Sequence, residues 1–144
     1  MAGSKGDTFE NDWLKLIFNA TAIANIADNA GSSPLTSLYV ALHTASPGEA
    51  GTQSTSEAAY VGYARQAVAR TSAGFVVTGS SVSPTSDVVF PAPTAGAGTI
   101  TDFSVGVAVS GATKILYYGS LTPTISIAIG VNPVLRAAST ITED

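Results

Sequence analysis

Thr99-Ile-Thr-Asp-Phe-Ser-Val-Gly-Val-Ala-Val109 is the most regular stretch of this 144-residue chain. Phe103, Val105, Val107 and Val109 alternate with Asp102, Ser104, Gly106 and Ala108. A period of two is the mark of a strand with one face in a core. The same period recurs outward in both directions. Upstream, Leu38, Val40 and Leu42 alternate with Tyr39, Ala41 and His43 in a first strand, and 63–70, 74–78 and 87–90 read as three more. The last of these is closed by Pro91-Ala92-Pro93. Downstream, 114–121 and 124–129 read as strands, and 133–141 as a weaker eighth. Between the first two strands, 44–56 carries Ser46-Pro47-Gly48, a second glycine and several Ser/Thr, so it is expected to be a long exposed loop. No βαβ alternation is visible. The pattern predicts a mainly β chain, an antiparallel sandwich or jelly roll of about eight strands.

The first thirty residues keep a different period. Asp7 and Glu10 have capping-box spacing, with Asp in place of Ser or Thr. Phe9, Trp13, Leu16, Ile17, Ala20 and Ala24 then recur at steps of three and four, while Leu14, Phe18 and Ile26 lie off that stripe. Asn29-Ala30-Gly31 supplies a stop and Ser32-Ser33-Pro34 a linker. One N-terminal helix of about 20 residues, roughly 30 Å long, is therefore expected. Residues 1–34 form an arm, helix and linker, and 35–144 the β domain, in one structural unit. A lone helix on a sheet needs a single apolar stripe, so Phe9, Trp13 and Ile17 are expected to pack inward. Leu14 and Phe18 would then face a partner or a second copy. The polar ends, 1–7 and 139–144, are expected to be ordered only by a neighbour.

Composition narrows the function classes. Hydrophobic residues make up 45% and charged residues 11%, and Ala, Ser, Thr and Gly together account for almost half the chain. With no cysteine, disulfide scaffolds and cysteine-based zinc modules are excluded. Six Lys/Arg against ten Asp/Glu give a net charge of −4, the wrong sign for neutralising phosphates, so no direct nucleic-acid partner is expected. The 21 uncharged residues between Lys114 and Arg136 are punctuated by Gly119, Pro123, Gly130 and Pro133, and Ile125, Ile127 and Ile129 alternate with small residues. That is a strand pattern rather than a membrane span. Asp7, Glu10 and Asp12 interrupt any secretory signal. The sequon Asn19-Ala20-Thr21 falls inside the expected helix and is read as structural.

Few groups here could do chemistry. His43 is the sole histidine, so any Ser-His-Asp arrangement would have to use it, and no Gly-x-Ser-x-Gly elbow marks a nucleophile. It is expected to be a strand histidine facing the loop before Ser46-Pro47-Gly48. No metal-ligand spacing occurs, and Gly96-Ala97-Gly98 lacks the third glycine of a phosphate cradle. Asp87 and Asp102 are read as strand-edge or turn residues. No catalytic residue, metal or cofactor is expected.

A family resemblance rests on four segments in order. Ser37-Leu-Tyr-Val-Ala-Leu-His-Thr-Ala-Ser-Pro-Gly-Glu-Ala-Gly51 is followed by Gly62-Tyr-Ala-Arg-Gln-Ala-Val68. Val88-Val-Phe-Pro91 with Gly98-Thr-Ile-Thr-Asp-Phe103 comes next, and Ile115-Leu-Tyr-Tyr-Gly-Ser-Leu-Thr122 completes the set. Together they resemble small phage virion proteins often labelled tail fibre proteins, over about residues 35–135. The chain is also similar to the capsid cement proteins of short-tailed phages of the Bordetella type. That resemblance implies a jelly roll, a homodimer and a seat on the outside of an icosahedral shell, assembled in the host cytoplasm with the major capsid protein as partner. No membrane partner and no catalytic residue are implied. A capsid decoration role is therefore expected first, and a tail-associated or fibre-base binding role second. Phe9, Trp13, Leu14, Ile17, Phe18 and Arg65 are the interface candidates, although Arg65 by itself reads as a solvated strand residue.

Overall fold

The computed structural model describes residues 7–23, 27 and 34–143. They form one helix, α1 (Asp7–Asn19), and nine strands: β1 (Ser37–His43), β2 (Gln66–Ala69), β3 (Phe75–Thr78), β4 (Ser81–Pro84), β5 (Val88–Val89), β6 (Gly98–Gly106), β7 (Ile115–Ile127), β8 (Val134–Leu135) and β9 (Ile141–Thr142). The class is mainly antiparallel β with one helix. The sheets have the orders β2-β1-β6-β7, β3-β4-β9 and β5-β8. The described residues fall into two compact units. One comprises those up to Ser37 with Val68–Ser86 and those from Arg136 onward; the other comprises Leu38–Ala67 and Asp87–Leu135.

In the first unit α1 packs on β3 and β4. The helix has 13 residues rather than about 20. It stops in a Schellman-type cap, the Thr21 amide donating back to the Lys15 carbonyl at 3.1 Å, and another residue takes its last carbonyls. The Arg70 guanidinium donates from Nη2 to the Leu16 carbonyl at 2.6 Å and from Nε to the Ile17 carbonyl. Those are the oxygens that the Ala20 and Thr21 amides would need to prolong the helix. Ala20 instead turns into the left-handed region with φ of 55°. The expected stop at Asn29-Ala30-Gly31 and the helical positions Ala24 and Ile26 lie outside the described residues, as do Lys5, Asp144 and the Asp7 side chain.

The helix also faces the opposite way from the expected one. Leu14 and Phe18 are 0% exposed, whereas Phe9 and Trp13 are 38% and 37% exposed and Ile17 is half-buried. Apolar residues cover most of the circumference, so hydrophobicity does not choose the buried sector. Polar anchors do. Asn11 donates to the Gly79 carbonyl at 2.7 Å and Asn19 to the Phe75 carbonyl at 2.9 Å. This rotation seats Phe18 edge-on against Phe75, with ring centroids 4.9 Å apart.

The β3-β4 hairpin beneath it turns through Gly79 and Ser80, and Gly79 has the positive φ that glycine adopts without cost. β4 was not among the expected strands. The expected eighth strand, 133–141, divides: β8 pairs with β5, while β9 pairs with β4 through Ser81↔Thr142 and Val82↔Ile141.

In the second unit, β6 lies between β1 and β7, paired antiparallel to both. From Asp102 to Gly106 every residue is buried, so neither face is wet. The strand ends at Gly106, and Val109 beyond it is 61% exposed rather than part of an inner face. Asp102 is mid-strand and buried, not at an edge; the Thr101 hydroxyl donates to it at 2.7 Å. The two strands expected at 114–121 and 124–129 are one strand, β7. Its register passes from Asp102↔Ser120 to Ile100↔Ile125, so that Thr101 alone stands against residues 121–124. This bulge takes up Pro123, which has no N–H for the ladder. β2 begins at Gln66, three residues later than expected, because Tyr63 and Arg65 turn inward.

Candidate functional site: a buried polar network beneath two loops

The polar face of β6 is polar because it meets a polar interior. His43 on β1 and Ser104 on β6 are both fully buried, and His43 Nε2 lies 2.8 Å from Ser104 Oγ. On its other side His43 Nδ1 lies 2.8 Å from the Thr55 carbonyl, which can only accept. Nδ1 therefore carries the proton and Nε2 accepts from the serine hydroxyl. Burial lowers the His43 pKa below its ordinary value of 6.5 and keeps the ring neutral, although the Thr55 carbonyl pulls the other way. The histidine faces Thr55, not the segment just before Ser46-Pro47-Gly48.

Gln53 carries the chain of bonds onward. Its Nε2 donates to the Tyr39 carbonyl at 2.9 Å and reaches Ser104 Oγ at 3.4 Å. Its Oε1 accepts from Thr113 Oγ1 at 3.2 Å and from Arg65 Nη1 at 3.3 Å. The amide fits only because residue 106 is glycine: a Cβ there would stand 2.1 Å from the Gln53 amide carbon and oxygen. The 44–56 loop is thus not wholly exposed, since Pro47 and Gln53 reach back into the interior.

Arg65 is the hub. It is 5% exposed, not solvated. Nε and Nη2 grip the Glu57 carboxylate side-on, at 2.7 Å to Oε1 and 2.8 Å to Oε2. The remaining donors go to the Ala108 carbonyl (3.0 Å), the Gly111 carbonyl (2.7 Å), Thr113 Oγ1 and Ser54 Oγ. The bidentate bond to Glu57 raises the guanidinium pKa further. Tyr63 completes the shell. Its hydroxyl donates to Glu57 Oε1 at 3.1 Å and accepts from the Leu42 amide at 3.0 Å, while its ring stacks on Phe90. Burial pushes the Tyr63 phenol well above its usual value. Among the described residues no buried side-chain nitrogen or oxygen lacks a partner.

This arrangement fixes two loops, 44–57 and 107–114, to the central strands β1 and β6. The Ser104–His43 pair has the spacing of a nucleophile and base. Both members are sealed, however, and Ser104 Oγ is held between the imidazole and the Gln53 amide. An open recess of about 270 Å³ lies above the hub, lined by Glu57, Tyr63, Arg65, Val109 and Gly111 among others. Among the described residues no group of three or more His, Asp or Glu could hold a metal ion, and no helix is long and apolar enough to cross a membrane.

Of the six interface candidates, five lie on α1 in the first unit, and Arg65 is buried within the second. Sequence reasoning missed Gln53, Glu57, Tyr63 and Ser104. One signal was present: Glu57 and Arg65 are the only charged residues between Glu49 and Arg70, eight positions apart in an otherwise neutral segment.

A small, mainly β module whose loops are pinned from beneath by an internal charge network is the class that these features define. The chain belongs to the family described as podophage GP4 fiber I protein gp80, whose model matches residues 5–142. It is a phage structural protein, a component of the virion. No curated protein is similar enough to match it.

Proposed function

We propose that the protein is a tail-appendage component, a short binding module that joins a fibre to another virion part rather than forming a shaft. The observation that carries this reading is the match over residues 5–142 to a family described as fiber proteins. Sequence alone favours capsid cementing over a tail-associated role; the description of the family as fiber proteins is what supports taking the tail role first here. The buried network explains how such a module works. A loop that is already ordered loses less entropy on binding, so fixing 44–57 and 107–114 from within prepares them to meet a partner. Exposed Val109, with Ser110, Gly111 and Ala112 beside it, presents a neutral surface. Contact through it depends little on salt. The proposed role is adhesive, and the sealing of His43 and Ser104 within the interior supports it.

Val109→Asp tests the loop surface. The variant is expected to fold normally, because Val109 packs little, yet to be incorporated into purified virions several-fold less than the wild type. Equal incorporation would contradict the assignment of this surface.

Capsid decoration stands as the second reading, resting on the resemblance to capsid cement proteins that the sequence suggests. Its partner would be the major capsid protein, and its signature a shell that ruptures at lower temperature when the protein is missing.

A further inference from the structure

The Arg65 guanidinium divides its bonds between two loops. From 44–57 it takes the Glu57 carboxylate, the Gln53 side-chain oxygen and Ser54 Oγ. From 107–114 it takes the Ala108 and Gly111 carbonyls and Thr113 Oγ1. The loops also bond to each other directly. The Gln53 backbone amide donates to the Thr113 carbonyl at 3.0 Å, and the Thr113 hydroxyl donates to Gln53 Oε1 at 3.2 Å. A buried guanidinium is tolerated only while acceptors surround it. Lifting 107–114 alone would strip the Ala108 and Gly111 carbonyls from Arg65 while 44–57 still covered it. Lifting 44–57 alone would take away Glu57, its counter-ion. Either movement leaves buried polar groups unpaired, whereas joint movement lets water reach all of them. The Thr55–His43 and Gln53–Tyr39 bonds tie the same assembly down to β1.

We propose that 44–57 and 107–114 open and close as one unit, so that a partner holding one loop also orders the other. Arg65, Gln53 and Thr113 are the positioning residues that couple them. The unit opens without unfolding the rest of the chain, as locally cooperative segments do. The coupling is reciprocal. Contact at Val109 tightens 44–57, and contact on the exposed face of 44–57, at Ser46 or Glu49, raises the affinity at Val109. Ordering entropy is then lost once for both surfaces, which makes the second contact easier than the first. The meaning of this for assembly rests on the loop surface proposed above; the coupling itself is a property of the free chain.

Amide hydrogen exchange of the full-length protein, followed residue by residue by NMR with no partner present, tests this. The Thr44 and Thr55 amides report on 44–57, since their acceptors, the Ser56 and Thr52 carbonyls, lie in the same loop. The amide of residue 113, bonded to the Gly111 carbonyl, reports on 107–114. Gly111→Ala perturbs 107–114 alone: φ there is 86°, and a Cβ would meet nothing, so the strain stays in that backbone. Thr113→Val removes the hydroxyl link to Gln53. Each variant is expected to speed exchange several-fold at Thr44 and Thr55, by a factor similar to that at residue 113, with α1, β3 and β4 unchanged. Wild-type rates at Thr44 and Thr55 in either variant would overturn the proposal. So would equal acceleration in α1, β3 and β4, because the whole fold would then have loosened. No partner enters this measurement, so its failure leaves the Val109 surface standing, and normal incorporation of Val109→Asp leaves the coupling standing.

Discussion

Arg65 shows how much one side chain's surroundings change its meaning. As a charged residue near a strand it reads as solvated; in the structure it is the hub that joins Glu57 and Gln53 to the 107–114 loop. Removing one member of such a buried pair costs about 3–5 kcal/mol, mainly because the other is left uncompensated. Gly106 is the less conspicuous requirement. Gly106→Ala is expected to displace the Gln53 amide, orphaning partners on Tyr39, Ser104 and Thr113, and to destabilise the fold by about 1–3 kcal/mol in urea denaturation. A loss below a few tenths would mean that the amide has another place to go. His43 supplies a pH dependence. Its folded pKa lies below the unfolded value of 6.5, so the unfolded chain binds more protons between the two. The stability due to the neutral ring is therefore complete above about pH 6.5 and falls as the pH drops through that window. Melting temperatures between pH 7.5 and 5.5 should decline more for the wild type than for His43→Gln. Parallel declines would show that His43 contributes nothing to the slope.

The elements were legible to different degrees, and each for its own reason. β1, β3 and β5 were placed within a residue or two, since alternation and turn residues frame them. β6 is legible, but its polar face reads as a wet one, because a sequence does not distinguish a polar interior from water. β4 was missed, although Thr78-Gly79-Ser80-Ser81 has the two-residue glycine turn of a hairpin. β7 was divided at Pro123, which marks a bulge here rather than an end. The helix was recognised and misdirected: its rotation is set by Asn11, Asn19 and Arg70 binding the hairpin and its own last carbonyls, contacts that periodicity does not carry. That rotation has a measurable consequence. Leu14→Ala, which opens a cavity against β3 and β4, should cost about 2–5 kcal/mol. Trp13→Ala should cost clearly less, despite the larger side chain. The reverse order in chemical denaturation would restore the inward-facing Trp13 that the sequence suggests.

At the scale of the whole molecule, low charge has two uses. Inside, the Glu57–Arg65 ion pair fixes the loops. Outside, no charged residue stands on 107–113, where another protein can approach the Val109 surface without direct repulsion. The class and the virion family were legible in the order of four short motifs. The site was not, because Gln53, Glu57, Arg65, Ser104 and Thr113 are spread over 61 positions and share no spacing rule. The central claim is that these features serve attachment at the tail. A cryo-EM map of the intact virion, with the chain fitted by its β6–β7 sheet and α1, tests it most directly. The account predicts density for this protein in a small number of copies at the tail, where a fibre meets its mount. Density spread in hundreds of copies over the outside of the head, with none at the tail, would contradict it.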